Sequence, residues 1–318
     1  MLMTATIPYT IIGGYLGAGK TTLLNHLLHN NHGLRLAVLV NDFGDINIDA
    51  DLVVNNDGET INLASGCICC SLADGFMLAL ARLREHADRI DHIIVEASGV
   101  SDPVKIGQYG AILRYALDGV IVLADAEQIR EKAANKYVGE TVIRQLRGAD
   151  LLVLNKIDLV TPAQLDEVHD WLSETAPGIR IVEAVNGEVP PAILLGAHMD
   201  VTPSTSAAAG QELVHTHDHD HLSSYVTRSF TSHTALPEDA LRAFMDALPD
   251  GVLRAKGFVR LADDPERAYI LQLVGRRWQL APGEPWGAQT PVTRLVVIGL
   301  PESIDEEAWR RLLRSDDD

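Results

Sequence analysis

Apolar residues along the first two-thirds of the chain come in short runs separated by amphipathic stretches. The runs at Tyr9–Gly13, Leu36–Asn41, His92–Glu96, Gly119–Asp125, Leu151–Asn155 and Arg180–Ala184 read as buried strands. Helical periodicity fills the intervals. One helix is expected over Ser71–Arg89, with Ser71 and Asp74 at capping spacing. Another is expected from Thr161 to about Glu174, where Thr161 caps, Pro162 suits the first turn and Gln164 completes a capping box. Strands alternating with helices predict an α/β fold, a doubly wound and mostly parallel sheet covered on both faces.

The alternation stops near Gly196. Residues 197–223 hold Pro203, a run of small residues from Thr205 to Gly210, and then closely spaced histidines, so a linker or loop is expected there. A different pattern follows. Strands are expected at Val226–Phe230, Val252–Leu261, Tyr269–Leu280 and Leu295–Ile298, with helices at Pro237–Leu248 and Glu306–Leu313. The expected organisation is therefore a doubly wound α/β domain over 1–196, a histidine-rich linker over 197–223 and a smaller α+β domain with an antiparallel sheet over 224–318.

Composition narrows the function classes. The 318 residues carry a net charge of −18, with 29 acids and 14 bases in residues 1–223 against 15 and 12 in the remainder. Such acidity opposes nonspecific nucleic-acid binding. No apolar run approaches the ~20 residues that span a bilayer, and no basic segment precedes the first apolar stretch, so neither a membrane span nor a secretory signal is expected. With no scattered cysteine pairs to build a disulfide framework, a cytoplasmic location is the natural expectation.

The run Gly14-Tyr15-Leu16-Gly17-Ala18-Gly19-Lys20-Thr21 fits a phosphate-binding loop between a strand and a helix. Its glycines let backbone N–H groups close around a phosphate, and the helix amino terminus adds positive potential. Lys20 reaches the β- and γ-phosphates, and the Thr21 hydroxyl ligates Mg²⁺. Further on, Asn155-Lys156-Ile157-Asp158 ends an apolar strand, where doubly wound sheets place ligand residues. The Asp158 carboxylate can accept from guanine N1–H and the exocyclic amino group, a donor pair that adenine lacks. Lys156 can lie along the base, and Asn155 can tie this loop to the phosphate loop. The candidate nucleotide-binding set is Gly14, Gly17, Ala18, Gly19, Lys20, Thr21, Thr22, Asn155, Lys156, Asp158 and Asn186. Glu96, which ends the third apolar strand, can hold a Mg²⁺-bound water or orient the attacking water, and Gly99 can give a backbone N–H to the γ-phosphate. Lys20, Thr21, Glu96 and Gly99 are the candidate catalytic residues. There is no glutamine in the place of a water-positioning residue, so slow intrinsic turnover is expected.

All three cysteines of the chain lie within four positions, at Cys67, Cys69 and Cys70. A strained redox disulfide and buried inert thiols compete with a metal site, which the clustering of soft donors favours. Asp42 and Asp45, after the second strand, can face either this cluster or the Mg²⁺ site. His215, His217, His219 and His221 alternate with polar residues and form a candidate low-affinity metal loop, or simply a polar linker. His26, His29 and His32 read as a solvated helix face.

These segments together resemble the CobW-like metal-chaperone GTPases, relatives of the urease and hydrogenase nickel-insertion GTPases. Gly14–Thr21 resembles the family's phosphate loop, Asn41–Asp45 its Asn-Glu-Phe-Gly-Glu segment and Cys67–Cys70 its Cys-x-Cys-Cys motif. Glu96–Gly99 matches its Glu-x-x-Gly and Asn155–Asp158 its guanine motif, while Arg254–Phe258 with Trp278 resembles the signature of its carboxy-terminal domain. Aspartate stands here at 42 and 45, where the family commonly has glutamate. The resemblance implies GTP hydrolysis with Mg²⁺, coupled to delivery of Zn²⁺, or less often Co²⁺ or another divalent ion, to a client metalloprotein. Homo-oligomerisation is compatible with it. A metal buffer or sensor with vestigial nucleotide turnover is the alternative.

Overall fold

The computed structural model of the chain describes residues 7–29, 33–40, 52–54, 60–62, 72–113, 115–196 and 225–313. They fall into two compact units, Met1–Leu195 and Gly196–Asp318.

The first unit is built on an eight-stranded sheet. Its strands are β1 (Pro8–Gly14), β2 (Leu36–Val40), β3 (Leu52–Val54), β4 (Thr60–Asn62), β5 (His92–Glu96), β6 (Ala116–Asp125), β7 (Leu151–Asn155) and β8 (Arg180–Ala184). They lie in the order β4-β3-β2-β5-β1-β6-β7-β8. The six strands from β2 to β8 in that order run parallel, and β3 and β4 add an antiparallel edge. Continuous Val, Ile and Leu in β5 and β7 suit strands buried on both faces, and every residue of those two strands is buried.

Among the described residues of this unit the helices are α1 (Lys20–His29), α2 (Leu72–Leu83), α3 (Pro103–Ile112), α4 (Ile129–Ala134), α5 (Gly139–Gly148), α6 (Pro162–Thr175) and α7 (Pro191–Leu195). The helix expected over Ser71–Arg89 is α-helical only to Leu83 and continues as a tighter 3₁₀ segment over Arg84–Arg89. α6 starts as its sequence dictates. The Thr161 hydroxyl accepts from Gln164 N, the Gln164 side chain accepts from Thr161 N, and Pro162 fills the first turn. Such a cap is worth about 1 kcal/mol.

The strand order fixes where a ligand goes. β1 leads outward to β2 on one side, whereas α3 carries the chain from β5 to β6 on the other side of β1. The carboxyl ends of β1, β5, β6 and β7 therefore border one crevice at the switch in strand order. Registers Ile12↔Glu96, Gly14↔Leu123 and Asp125↔Asn155 bring these ends level.

The described residues of the second unit form a five-stranded antiparallel sheet with two helices. Its strands are β9 (Val226–Ser232), β10 (Val252–Arg260), β11 (Arg267–Val274), β12 (Arg277–Pro285) and β13 (Thr293–Gly299), in the order β12-β11-β10-β13-β9. The segment Tyr269–Leu280, expected as one strand, is a hairpin of β11 and β12. Val274 pairs with Arg277 across a two-residue turn in which Gly275 adopts φ 51, the position where a II′ hairpin places glycine. Helices α8 (Glu238–Asp246) and α9 (Glu306–Leu313) pack on one face of the sheet. Trp309 is 1% exposed, stacks on Phe230 at 5.3 Å and meets Phe244 edge-on at 4.8 Å.

Candidate functional site

The loop from Gly14 to Thr21 leaves β1 and enters α1 with three glycines at positive φ, Gly14 at 132°, Gly17 at 80° and Gly19 at 103°. A Cβ on Gly14 would lie 2.4 Å from the Leu123 carbonyl oxygen, so the loop begins where strand and neighbour are too close for any side chain. Lys20 is 8% exposed and its Nζ donates to the Gly14 carbonyl at 2.9 Å, which arches the side chain back over the loop. Thr22 follows in the first turn of α1, exposed.

Thr21 and Glu96 come together. The Thr21 hydroxyl donates to Glu96 Oε1 at 3.2 Å, and Glu96 is 7% exposed at the end of β5. A hydroxyl beside a buried carboxylate at the mouth of a phosphate loop is a hard-oxygen donor set of the kind Mg²⁺ takes, with its other positions left for water and phosphate. The residues thus fit that ion. The next residues lie against the phosphate loop: a Cβ on Gly99 would sit 2.6 Å from the Leu16 side chain and 2.8 Å from Leu16 N. Gly99 is required by that approach alone. From behind, Gln145 of α5, 2% exposed, donates through Nε2 to the carbonyls of Gly99 at 3.1 Å and Ser101 at 2.8 Å.

Asn155 joins three segments. It is 1% exposed; its Nδ2 donates to the Ala18 carbonyl at 2.9 Å, and its Oδ1 accepts from Gly187 N at 2.9 Å. The phosphate loop, the end of β7 and the loop after β8 are therefore held by one amide. A Cβ on Gly19 would lie 2.3 Å from Asn155 Nδ2, so the glycine makes room for this bond. Lys156 has φ 64, and its Nζ lies 2.7 Å from Asp125 Oδ2. Asp158 stands exposed in the short turn Ile157–Leu159, and Asn186 is exposed at φ 52 beside Gly187.

Asp125, Lys132, Gln145 and Gly187 were not singled out from the sequence. Asp125 had one legible signal, its place at the end of an expected strand. Lys132 of α4 donates to the Leu16 carbonyl at 2.9 Å and lies over the Tyr15 ring at 5.5 Å. That contact spans distant sequence, so no local motif announces it. Cys67, Cys69, Cys70, Asp42, Asp45, His215, His217, His219 and His221 lie outside the described residues. Among the described residues, no group of three or more His, Cys, Asp or Glu could hold a metal ion, and no helix is long and apolar enough to cross a membrane.

Comparison with known proteins places this arrangement. The family described as "CobW/HypB/UreG, nucleotide-binding domain" matches residues 8–183, and "Cobalamin synthesis protein cobW C-terminal domain" matches 225–315. A protein named zinc chaperone CobW from Sinorhizobium sp is 35% identical, with 96% of this chain and 95% of that protein covered. Its namesake from Pseudomonas aeruginosa is 32% identical over 99% and 92%. Among solved structures, the Zn(II)-bound YjiA GTPase from E. coli aligns with a TM-score of 0.45 at 26% identity, covering 98% of this chain and all of that one. On the matches to the two family descriptions and to these relatives, the chain belongs to the CobW/HypB/UreG family, with a CobW carboxy-terminal domain following its nucleotide-binding domain.

Proposed function

We propose that the protein is a Mg²⁺-dependent GTPase that binds Zn²⁺ through Cys67, Cys69 and Cys70 and passes it, under nucleotide control, to a client metalloprotein. The observation that carries the nucleotide half of this reading is the Asn155 amide, bonded at once to the phosphate loop and to the loop after β8. That clamp sets the Asn155–Asp158 turn against the phosphate site and supports its role as a base-recognition element. Membership of a family with relatives named zinc chaperones supports the metal half.

The chemistry follows from the residues. Phosphoryl transfer needs positioning and charge stabilisation more than covalent help. The backbone N–H groups of Gly17–Thr21 and the amino terminus of α1 receive the β-phosphate. The Lys20 ammonium exchanges the Gly14 carbonyl for phosphate oxygens. Thr21 and Glu96 would hold Mg²⁺, which would supply charge neutralisation for the reacting phosphates. Gly99, pressed against Leu16, offers its N–H to the γ-phosphate side, and Asp158 takes the guanine N1–H and amino group. Order imposed on Glu96–Gly99 by the γ-phosphate, and its loss on hydrolysis, is how nucleotide state would reach the metal-binding segment. By linkage, zinc must then alter nucleotide affinity in the same proportion.

A competitive zinc titration of the full chain, with and without a nonhydrolysable GTP analogue, tests the reading. Coupling appears as a nucleotide-dependent change in zinc affinity, together with zinc-dependent GTP turnover that Cys69→Ser removes. Zinc binding indifferent to nucleotide in both directions would make the protein a buffer. Preference for ATP over GTP would sink the base assignment.

A further inference from the structure

Asp125 ends β6 with its side chain 2% exposed. Each carboxylate oxygen has a separate task. Oδ1 accepts from Glu127 N at 3.0 Å and Gln128 N at 3.3 Å, turning the chain into α4. Oδ2 lies 2.7 Å from Lys156 Nζ, whose side chain is 31% exposed. The register Asp125↔Asn155 supplies the geometry, because the carboxylate reaches Lys156 from the strand alongside.

Lys156 itself is unusual. Its φ of 64 is a left-handed conformation that a side-chain-bearing residue adopts at a cost. It sits between Asn155, fixed by two buried hydrogen bonds, and the turn that presents Asp158. A lysine ammonium is a mobile point charge on a flexible stem. Beside a triphosphate site, a loose one would be drawn toward phosphate oxygens and would take its methylenes away from the base. The buried carboxylate prevents this by giving the ammonium a fixed, charge-assisted partner at 2.7 Å.

We propose that Asp125 is a positioning residue for base recognition. It anchors the Lys156 ammonium and so steadies the turn from which Asp158 reads the guanine edge, the contact that adenine cannot make. The same carboxylate is the first link in a second path. It holds the turn that leads into α4, whose Lys132 donates to the Leu16 carbonyl, so the base-binding turn and the phosphate loop share a brace that no sequence motif contains. This role rests on Asn155–Asp158 being the guanine-binding element.

Asp125→Asn separates positioning from mere capping. The asparagine oxygen still accepts from Glu127 N and Gln128 N, but the amide cannot pair with an ammonium. In the full chain, equilibrium binding of GDP and ADP is compared for the wild type, Asp125→Asn, Lys156→Ala and the double variant, alongside thermal unfolding. GDP affinity should fall about tenfold in Asp125→Asn while ADP affinity moves less than about twofold, so base discrimination drops by nearly the same factor. The double variant should lose no more than Lys156→Ala alone. GDP and ADP weakening together, or unchanged discrimination, or losses that multiply in the double variant would overturn the proposal.

Asp158→Asn with xanthosine diphosphate isolates the underlying reading, because an asparagine amide can donate to the xanthine C2 carbonyl where aspartate accepted from the guanine amino group. If Asp158→Asn still prefers GDP, the guanine assignment fails and the role of Asp125 falls with it. If that variant switches to xanthine while Asp125→Asn leaves discrimination intact, only the role of Asp125 is lost.

Discussion

Replacing Asn155 with alanine removes both arms of the clamp that joins the phosphate loop to the loop after β8. The Ala18 carbonyl and Gly187 N–H bonded to it would each lose their partner, in a site where the amide is 1% exposed. An orphaned buried polar group costs about 1–3 kcal/mol, so the two together cost about 2–6 kcal/mol. Water entering the space left by the amide would restore part of that, which puts the expected loss near 3 kcal/mol, a large fraction of the ~5–15 kcal/mol that holds a domain together. Urea unfolding measures the stability change. Titration of a fluorescent GDP analogue at low temperature, where the variant stays folded, measures the functional one. A phosphate loop that must be ordered on binding should cost about ten- to a hundredfold in affinity, equivalent to about 1.4–2.8 kcal/mol. Asn155→Asp keeps an acceptor for Gly187 but sets an anion against the Ala18 carbonyl, so its GDP affinity should fall at least as far. If Asn155→Ala stays within about 0.5 kcal/mol and twofold of the wild type, the amide does not act as a clamp.

Gly99→Ala would place a methyl 2.8 Å from Leu16 N, a backbone atom that cannot swing aside. The variant should keep its circular dichroism spectrum and lose most of its GTP turnover. Trp309→Ala would empty the space between Phe230 and Phe244, and should destabilise the second unit by about 3–5 kcal/mol, seen as a separate early unfolding transition. Burial pushes the Tyr115 phenol from 10.0 up to about 12, and its hydroxyl donates to the Leu80 carbonyl at 2.7 Å. The folded state therefore holds this proton more tightly than the unfolded chain. Its contribution is complete below pH 10 and is lost as pH rises toward 12, so Tyr115→Phe should flatten that stretch of the stability profile.

Local signals proved reliable where the physics is local. The Thr161–Gln164 capping box forms because its donors and acceptors lie within one turn, and the apolar runs that became β5, β7 and β8 needed no neighbour to be recognised. Gly275 was passed over because Val274 and Trp278 continue an apolar trend. Only the pairing of β11 with β12 shows that the glycine turns the chain. The site divides in the same way. Motif residues such as Lys20, Thr21, Glu96 and Asn155 could be read as a string because each belongs to a recurring local arrangement. Asp125, Lys132 and Gln145 act across strands and helices whose adjacency only the folded sheet creates.

Gln145 gives the loop after Glu96 a second side. Its amide holds two carbonyls of that loop from within α5, away from the surface where nucleotide would enter. Any movement of Gly99–Ser101 with nucleotide state must break or carry those bonds, so the displacement is felt by α5. Arg147 of that helix is tied in turn to the Thr175 carbonyl at the end of α6. A substitution at position 145 would therefore alter the support of that loop from α5, without touching the phosphate loop itself. In engineering terms, the loop after β5 offers a handle that lies in a neighbouring helix rather than in the loop itself.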